Sequence, residues 1–154
     1  MRSADTLRLF VPAVLLLIAV EAVVSIAAGW PHQFNGSGDP DRVLAEFPSS
    51  GTALAPPLFV VVVLVLVAAG LQRPGPVRTL ATVLTLPLAV LMAVGSAGEA
   101  LAPATPDVPR SVQLIGGGLD SLLSVALLVQ AALALVEGRR ARAGSGVSAV
   151  ATRR

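Results

Sequence analysis

Four stretches of this chain, residues 9–29, 53–71, 79–101 and 112–136, are almost continuously apolar and carry at most one charged residue apiece. A helix rises about 1.5 Å per residue and the hydrocarbon core of a bilayer is about 30 Å thick, so about 20 such residues make one crossing. Lipid offers the backbone no hydrogen-bond partners, which leaves helices and closed barrels as the ways across. Residues 60–67 are valine-rich enough to suggest a buried strand in water, yet one membrane strand needs a barrel of at least about 8 partners, and the chain supplies none. The sequence therefore predicts an all-α integral membrane protein. A four-helix transmembrane bundle is expected within residues 1–138, followed by a disordered basic tail over 139–154. With 55% hydrophobic and 13% charged residues, where soluble domains carry about 25% charge, no separate soluble core is expected. Any function then belongs to the helices and their loops.

Arginine sets the direction, because cytoplasmic segments keep positive charge beside the ends of spans. Four crossings put Arg2, Arg8, Arg73, Arg78, Arg139, Arg140, Arg142, Arg153 and Arg154 on one side, and only Arg42 and Arg110 on the other. Both termini are thus expected in the cytoplasm, with outer loops at 30–52 and 102–111. The outer side collects Asp39, Asp41, Glu46 and Asp107, and Trp30 stands where an interfacial aromatic belongs. The basic residues are all arginine and Ala and Val abound, the imprint of GC-rich coding, so the expected home is a bacterial plasma membrane. A rival reading makes Arg2 and Arg8 the n-region of a signal peptide cut near Ser25-Ile26-Ala27, leaving three spans. The apolar run is longer than the usual h-region of about 7–15 residues, and Glu21 interrupts it, which favours a retained helix.

Cysteine is absent, which excludes disulfides, thiol catalysis and thiolate metal sites. The sequence pI is near 11.0, but net charge is only +2 and the arginines gather at helix ends, so no nucleic-acid face is expected. In the first outer loop, residues 35–40 are a run of turn residues. The Asn35-Gly36-Ser37 sequon there reads as a turn, and residues 42–47 suit a short helix lying on the membrane surface. Residues 72–76 form a short stiff link that makes the second and third spans antiparallel neighbours. Pro103, Pro106 and Pro109 make the second outer loop an extended spacer. A faint echo between residues 18–20 and 88–90 is cheap in an Ala/Val/Leu alphabet.

Acids inside a span cost several kcal/mol and raise a functional hypothesis by default. Glu21 and Asp120 each lie about nine residues, hence roughly 13–14 Å, below the outer end of their helix. At one depth the two could meet and share a proton, because neighbouring carboxylates in a low-dielectric site do not both ionise cheaply. Each has a serine four residues on, Ser25 and Ser124, on the same helical face. Glu99 would add a third carboxylate at the mouth, with His32 and Gln113 near the same level. Such an outward-opening acidic vestibule suits a proton, a metal cation or an organic cation. The plainer reading is a protonated acid serving as interhelical glue. His32 has no second His or Cys with which to build a zinc shell, and no metal or cofactor is expected. Gly116-Gly117-Gly118 either lets helices approach closely or unwinds a turn, and the former is favoured. Pro87 should bend the third span, with Thr82 and Thr85 at hand for the freed carbonyls.

Phosphate loops, dinucleotide fingerprints, paired zinc ligands and nucleophile elbows are missing from the sequence. An enzyme is not expected; one built on Glu21 and Asp120 as acid and base would lack oxyanion donors and a substrate-binding cluster. With a polar-poor bundle and no complete site, the leading expectation is a small accessory or scaffold protein that meets a membrane-protein partner, or a second copy of itself, through helix and outer-loop contacts. The alternative is a proton- or cation-coupled carrier or carrier subunit using Glu21 and Asp120. Acids turned toward one another around a cavity favour carriage, and acids buried against serine and backbone favour glue.

Overall fold

The computed structural model describes residues 3–33, 38–104 and 106–151, the side chains of 142–151 excepted. The sequon, Arg2, Arg153, Arg154 and the Arg142 side chain lie outside the described residues. The architecture is helical: α1 Ser3–Ala28, α2 Val43–Ser50 preceded by a 3-10 turn at Pro40–Arg42, α3 Leu58–Gln72, α4 Pro76–Leu101 and α5 Arg110–Ala151. Among the described residues the β content is one isolated antiparallel bridge, Pro31 to Thr52. Among the described residues three helices are long and apolar enough to cross a membrane: α1, α4 and, over Arg110–Ala141, α5. Helix α5 continues to Ala151, through residues whose composition suggests an unstructured tail.

The expected span over 53–71 is shorter as a helix. It starts at Leu58 and has 15 residues, about 22 Å at the helical rise. Pro56 and Pro57 are the cause. Proline disfavours helical backbone in the residue before it and serves well only at a helix start. At the other end, Gly75 takes φ +75°, a left-handed conformation that suits glycine. Pro76 then opens α4 at a position where its missing N–H goes unmissed.

Helix α1 packs against α3 and α5, and α4 packs against the same two. Ser3 donates from its amide and hydroxyl to the Glu137 carboxylate at 3.0 and 2.8 Å, and Arg8 donates to Gln72 Oε1 at 3.2 and 3.0 Å. The start of α1, the α3–α4 turn and residue 137 of α5 therefore share one end, with Arg8, Arg73, Arg78, Arg139 and Arg140. Arg42 and Arg110 are at the opposite end.

The buried seam on α1 runs through Leu7, Val11, Val14, Ile18, Glu21 and Ser25 in alternating steps of four and three, with Ala22 buried beside it. On α5 the same alternation runs through Gln113, Gly117, half-buried Asp120, Ser124, Leu127, Ala131 and Ala134. This is the spacing of a helix seam facing a neighbour. Because the two helices run in opposite directions, the polar half of one seam meets the polar half of the other. Val60, Leu64, Val67 and Leu71 supply the inward face of α3, while the outward faces remain apolar: Leu16 is 68% exposed, Leu66 66% and Leu122 70%.

Helix α5 runs unbroken through its three glycines. At Gly117 a Cβ would come within 2.6 Å of the Ser96 carbonyl oxygen and 2.9 Å of the Ala100 nitrogen. That glycine lets the α4 and α5 backbones touch. Helix α4 also continues through Pro87. Thr82 and Thr85 donate to the carbonyls of Arg78 and Ala81, so neither hydroxyl serves the Val83 carbonyl that Pro87 leaves free.

Candidate functional site

At the end opposite the arginine cluster, the chain leaves α1 through Gly29 and folds back over the helices. Trp30 donates its amide to the Ser25 carbonyl at 2.8 Å, and Ala53 donates to the Trp30 carbonyl at 3.3 Å. Thr52 sits at the centre of this return. Its amide donates to the Ala55 carbonyl at 2.8 Å, and its hydroxyl oxygen accepts from the amides of Leu54 and Ala55 at 3.4 and 3.0 Å. Pro56 and Pro57 have no N–H to satisfy. Every backbone donor from Thr52 to Pro57 is thus either used or absent, which lets Thr52, Ala53 and Ala55 be buried with no amide left unpaired.

Glu99, near the end of α4, is held by the same cover. The Gln33 amide donates to both of its carboxylate oxygens, at 3.0 and 2.7 Å, and Gln33 Nε2 donates to the Pro31 carbonyl. Arg110 closes the adjacent corner, donating to the Ala102 carbonyl and to Gln113 Oε1 at 2.6 and 3.0 Å.

Beneath the cover, Glu21 of α1 and Asp120 of α5 are neighbours, their carboxyls close enough to interact. Glu21 is 8% exposed, and no N–H or hydroxyl donor reaches its buried Oε2. The polar group set against it is the other carboxyl. Asp120 forms part of the wall of a cavity of about 460 Å³, and Glu99, His32, Ser96 and Ser124 share that wall. Most of the rest is apolar, including Leu17, Ile18, Phe59, Val60, Met92 and Leu123. A chamber of this size with mainly apolar walls and a few convergent polar groups has the make-up of a small-molecule site.

Several expected side chains converge here and others do not. Glu21 stands behind Asp120, off the cavity wall. Ser25 and Ser124 do not bond to the acids: both hydroxyls are buried, at 0% and 1% exposure, without a hydrogen-bond partner. Gln113 belongs to the Arg110 corner. His32 reaches the cavity with its buried Nδ1 unpartnered. Sequence reasoning missed Gln33, Thr52 and the Ser96–Ser121 hydroxyl pair, 3.0 Å apart. Of these, Thr52 had a signal, a threonine three residues ahead of an Ala-Pro-Pro stop, where side-chain capping of a turn is common. Among the described residues no group of three His, Cys, Asp or Glu side chains is arranged to hold a metal ion. Comparison with family models, with curated proteins and with solved structures finds no match to this chain.

Proposed function

We propose that this chain is a small proton- or cation-coupled carrier, or the subunit of one, in a bacterial plasma membrane, working through the Glu21–Asp120 pair. The observation that carries the reading is that Asp120, on the wall of a cavity, has the Glu21 carboxyl of another helix beside it, with no serine or backbone donor among the described residues holding the two as structural glue. Two carboxyls in contact in an apolar setting hold one negative charge far more cheaply than two. The pair keeps a proton while the chamber is empty and releases it when a cation enters beside Asp120. An accessory or scaffold role has no need of a hollow beside its most costly side chains.

In this reading the helices form a four-helix transmembrane bundle with both termini in the cytoplasm. The arginine-rich end faces inward, as retained positive charge requires, and the Trp30–Pro57 cover faces outward. Helix α3 alone falls short of the hydrocarbon thickness. The Thr52–Pro57 turn completes its crossing, and irregular backbone is tolerated at that depth when protein buries it and its donors are satisfied. Helix α1, whose buried residues run from Leu7 to Ser25, is an integral wall of the bundle.

Two measurements test these statements. Purified protein in weakly buffered liposomes, challenged with sodium, magnesium or methylammonium, should release protons, and Glu21→Gln or Asp120→Asn should remove the response. Release that is absent in the wild type, or unchanged in both variants, would return the chain to the accessory reading, which affinity capture of a specific partner would then support. Reporter fusions at Gly38 and Pro74 should report opposite sides of the membrane, and the same side for both would overturn the topology.

A further inference from the structure

The cavity is open along one side, and its exposed apolar wall residues identify where. Phe59, Leu91 and Val94 are 55%, 52% and 56% exposed, whereas Val14, Ile18, Val60 and Ser124 on the same wall are 4% exposed or less. Phe59 belongs to α3, and Leu91 and Val94 belong to α4. These two helices are pressed together near their connecting turn, where a Cβ on Gly70 would sit 2.9 Å from the Ala81 methyl. Nearer the covered end, Gly95 of α4 lies on the cavity wall, and a Cβ there would meet nothing within 4 Å. Apolar side chains from the first half of α3 and the second half of α4 thus edge the open side of a cavity whose wall includes Asp120.

We propose, resting on the acid-pair reading above, that this open side is a lateral portal and that the chamber takes an amphipathic organic amine from the lipid phase. A bare metal ion or a hydrated inorganic cation would be ill served by an apolar rim and by a wall where no three His, Cys, Asp or Glu side chains among the described residues are arranged to hold it. A protonated amine with an apolar body matches both parts: its ammonium group meets Asp120, and its body lies against Phe59, Val60, Leu17 and Leu123. Ser124 supplies a second, independent pointer. Its hydroxyl is on the wall, 1% exposed and without a partner, in a setting where buried hydroxyls are ordinarily bonded. An ammonium has three donors, so one that engages Asp120 has another for the Ser124 oxygen.

The test uses dansylcadaverine, a fluorescent amphipathic primary amine, and its N-acetylated neutral analogue, added to the full chain in liposomes with protein-free liposomes as the blank. The amine should bind saturably, and the acetylated analogue at least tenfold more weakly. Asp120→Asn should weaken amine binding at least tenfold and Ser124→Ala severalfold. Gly95→Leu, whose side chain enters open space, should keep the wild-type elution profile and helical content while slowing amine entry at least tenfold. Equal binding of amine and neutral analogue, or wild-type affinity in Asp120→Asn, would overturn the ligand class. Wild-type entry in Gly95→Leu would overturn the portal. If dansylcadaverine does not bind while small cations still release protons, this inference fails and the acid-pair reading stands; if proton release is also absent, the reading beneath it fails as well.

Discussion

The two ends of this molecule are built on the same two helix seams and filled in opposite ways. Toward the arginine-rich end the seams are apolar and closed, with Leu7, Val11, Leu127 and Ala131 all fully buried beside Leu64 and Leu71 of α3. Toward the covered end the same seams carry Glu21, Ser25, Gln113, Asp120 and Ser124, and the helices stand around a cavity of about 460 Å³. Among the described residues the unpartnered buried side-chain atoms lie in this second half, on Glu21, Ser25, His32, Gln33, Gln113 and Ser124. Dense packing is what holds membrane helices together, since lipid is as apolar as leucine and exerts no hydrophobic squeeze between them. The closed half can therefore supply the stability that the hollow half forgoes, which separates the part that holds the fold from the part available for a ligand.

The largest effect should come from opening the closed half. Leu64→Ala removes a side chain that is 0% exposed, and such truncations cost about 2–5 kcal/mol where the neighbours cannot collapse. Leu17→Ala, on the wall of the existing cavity, deletes contacts that are already half missing and should cost under about 1 kcal/mol. Unfolding in mixed detergent micelles compares the two directly. Equal losses would mean that the ends do not differ in packing. The glycines sharpen the same contrast at smaller scale. Gly117→Ala drives a methyl against the α4 backbone and should cost about 1–3 kcal/mol, the range for overpacking. At Gly118 a Cβ meets nothing within 4 Å, so Gly118→Ala should be neutral or gain up to about 1 kcal/mol of helix propensity.

Much of this division was legible in the chain. Helix positions followed from apolar run length, and counting turns gave grounds to expect Glu21 and Asp120 at one depth. The start of α3 at Leu58 was also within reach, since Pro56-Pro57 blocks helix locally, but run length alone ignored it and placed the boundary at 53. The serines show where pattern reasoning ends. Spacing places Ser25 and Ser124 on the faces of the acids, but whether a hydroxyl bonds to a carboxyl four residues away depends on rotamers and on what the opposite helix presents. Here Glu21 turns to Asp120, a contact between residues 99 positions apart. No local spacing encodes a hollow, either, because its wall is assembled from α1, α3, α4, α5 and the Thr52–Pro57 turn. The Gln33–Glu99 bonds were hidden for the same reason, as a loop amide in sequence carries no mark of the carboxylate it will meet.

The smallest effect tests the hollow half most directly. Ser121 and Ser124 are one helical turn apart on α5. Ser121 is bonded, its hydroxyl donating to the Gly117 carbonyl at 2.7 Å and lying 3.0 Å from Ser96 Oγ, while Ser124 Oγ has no partner. Interhelical hydrogen bonds in membranes average about 0.6 kcal/mol, so Ser121→Ala should destabilise by roughly that amount. Ser124→Ala removes a buried polar atom that gives back nothing in the empty protein, and the loss of an unsatisfied group is neutral or stabilising, by up to about 1 kcal/mol. The pair of variants should thus differ in sign or differ by about 0.6 kcal/mol or more when both are unfolded in the same micelles. If Ser124→Ala were the more damaging of the two, its hydroxyl would be structural, and the contrast between a bonded framework and an unbonded chamber would not hold at this position.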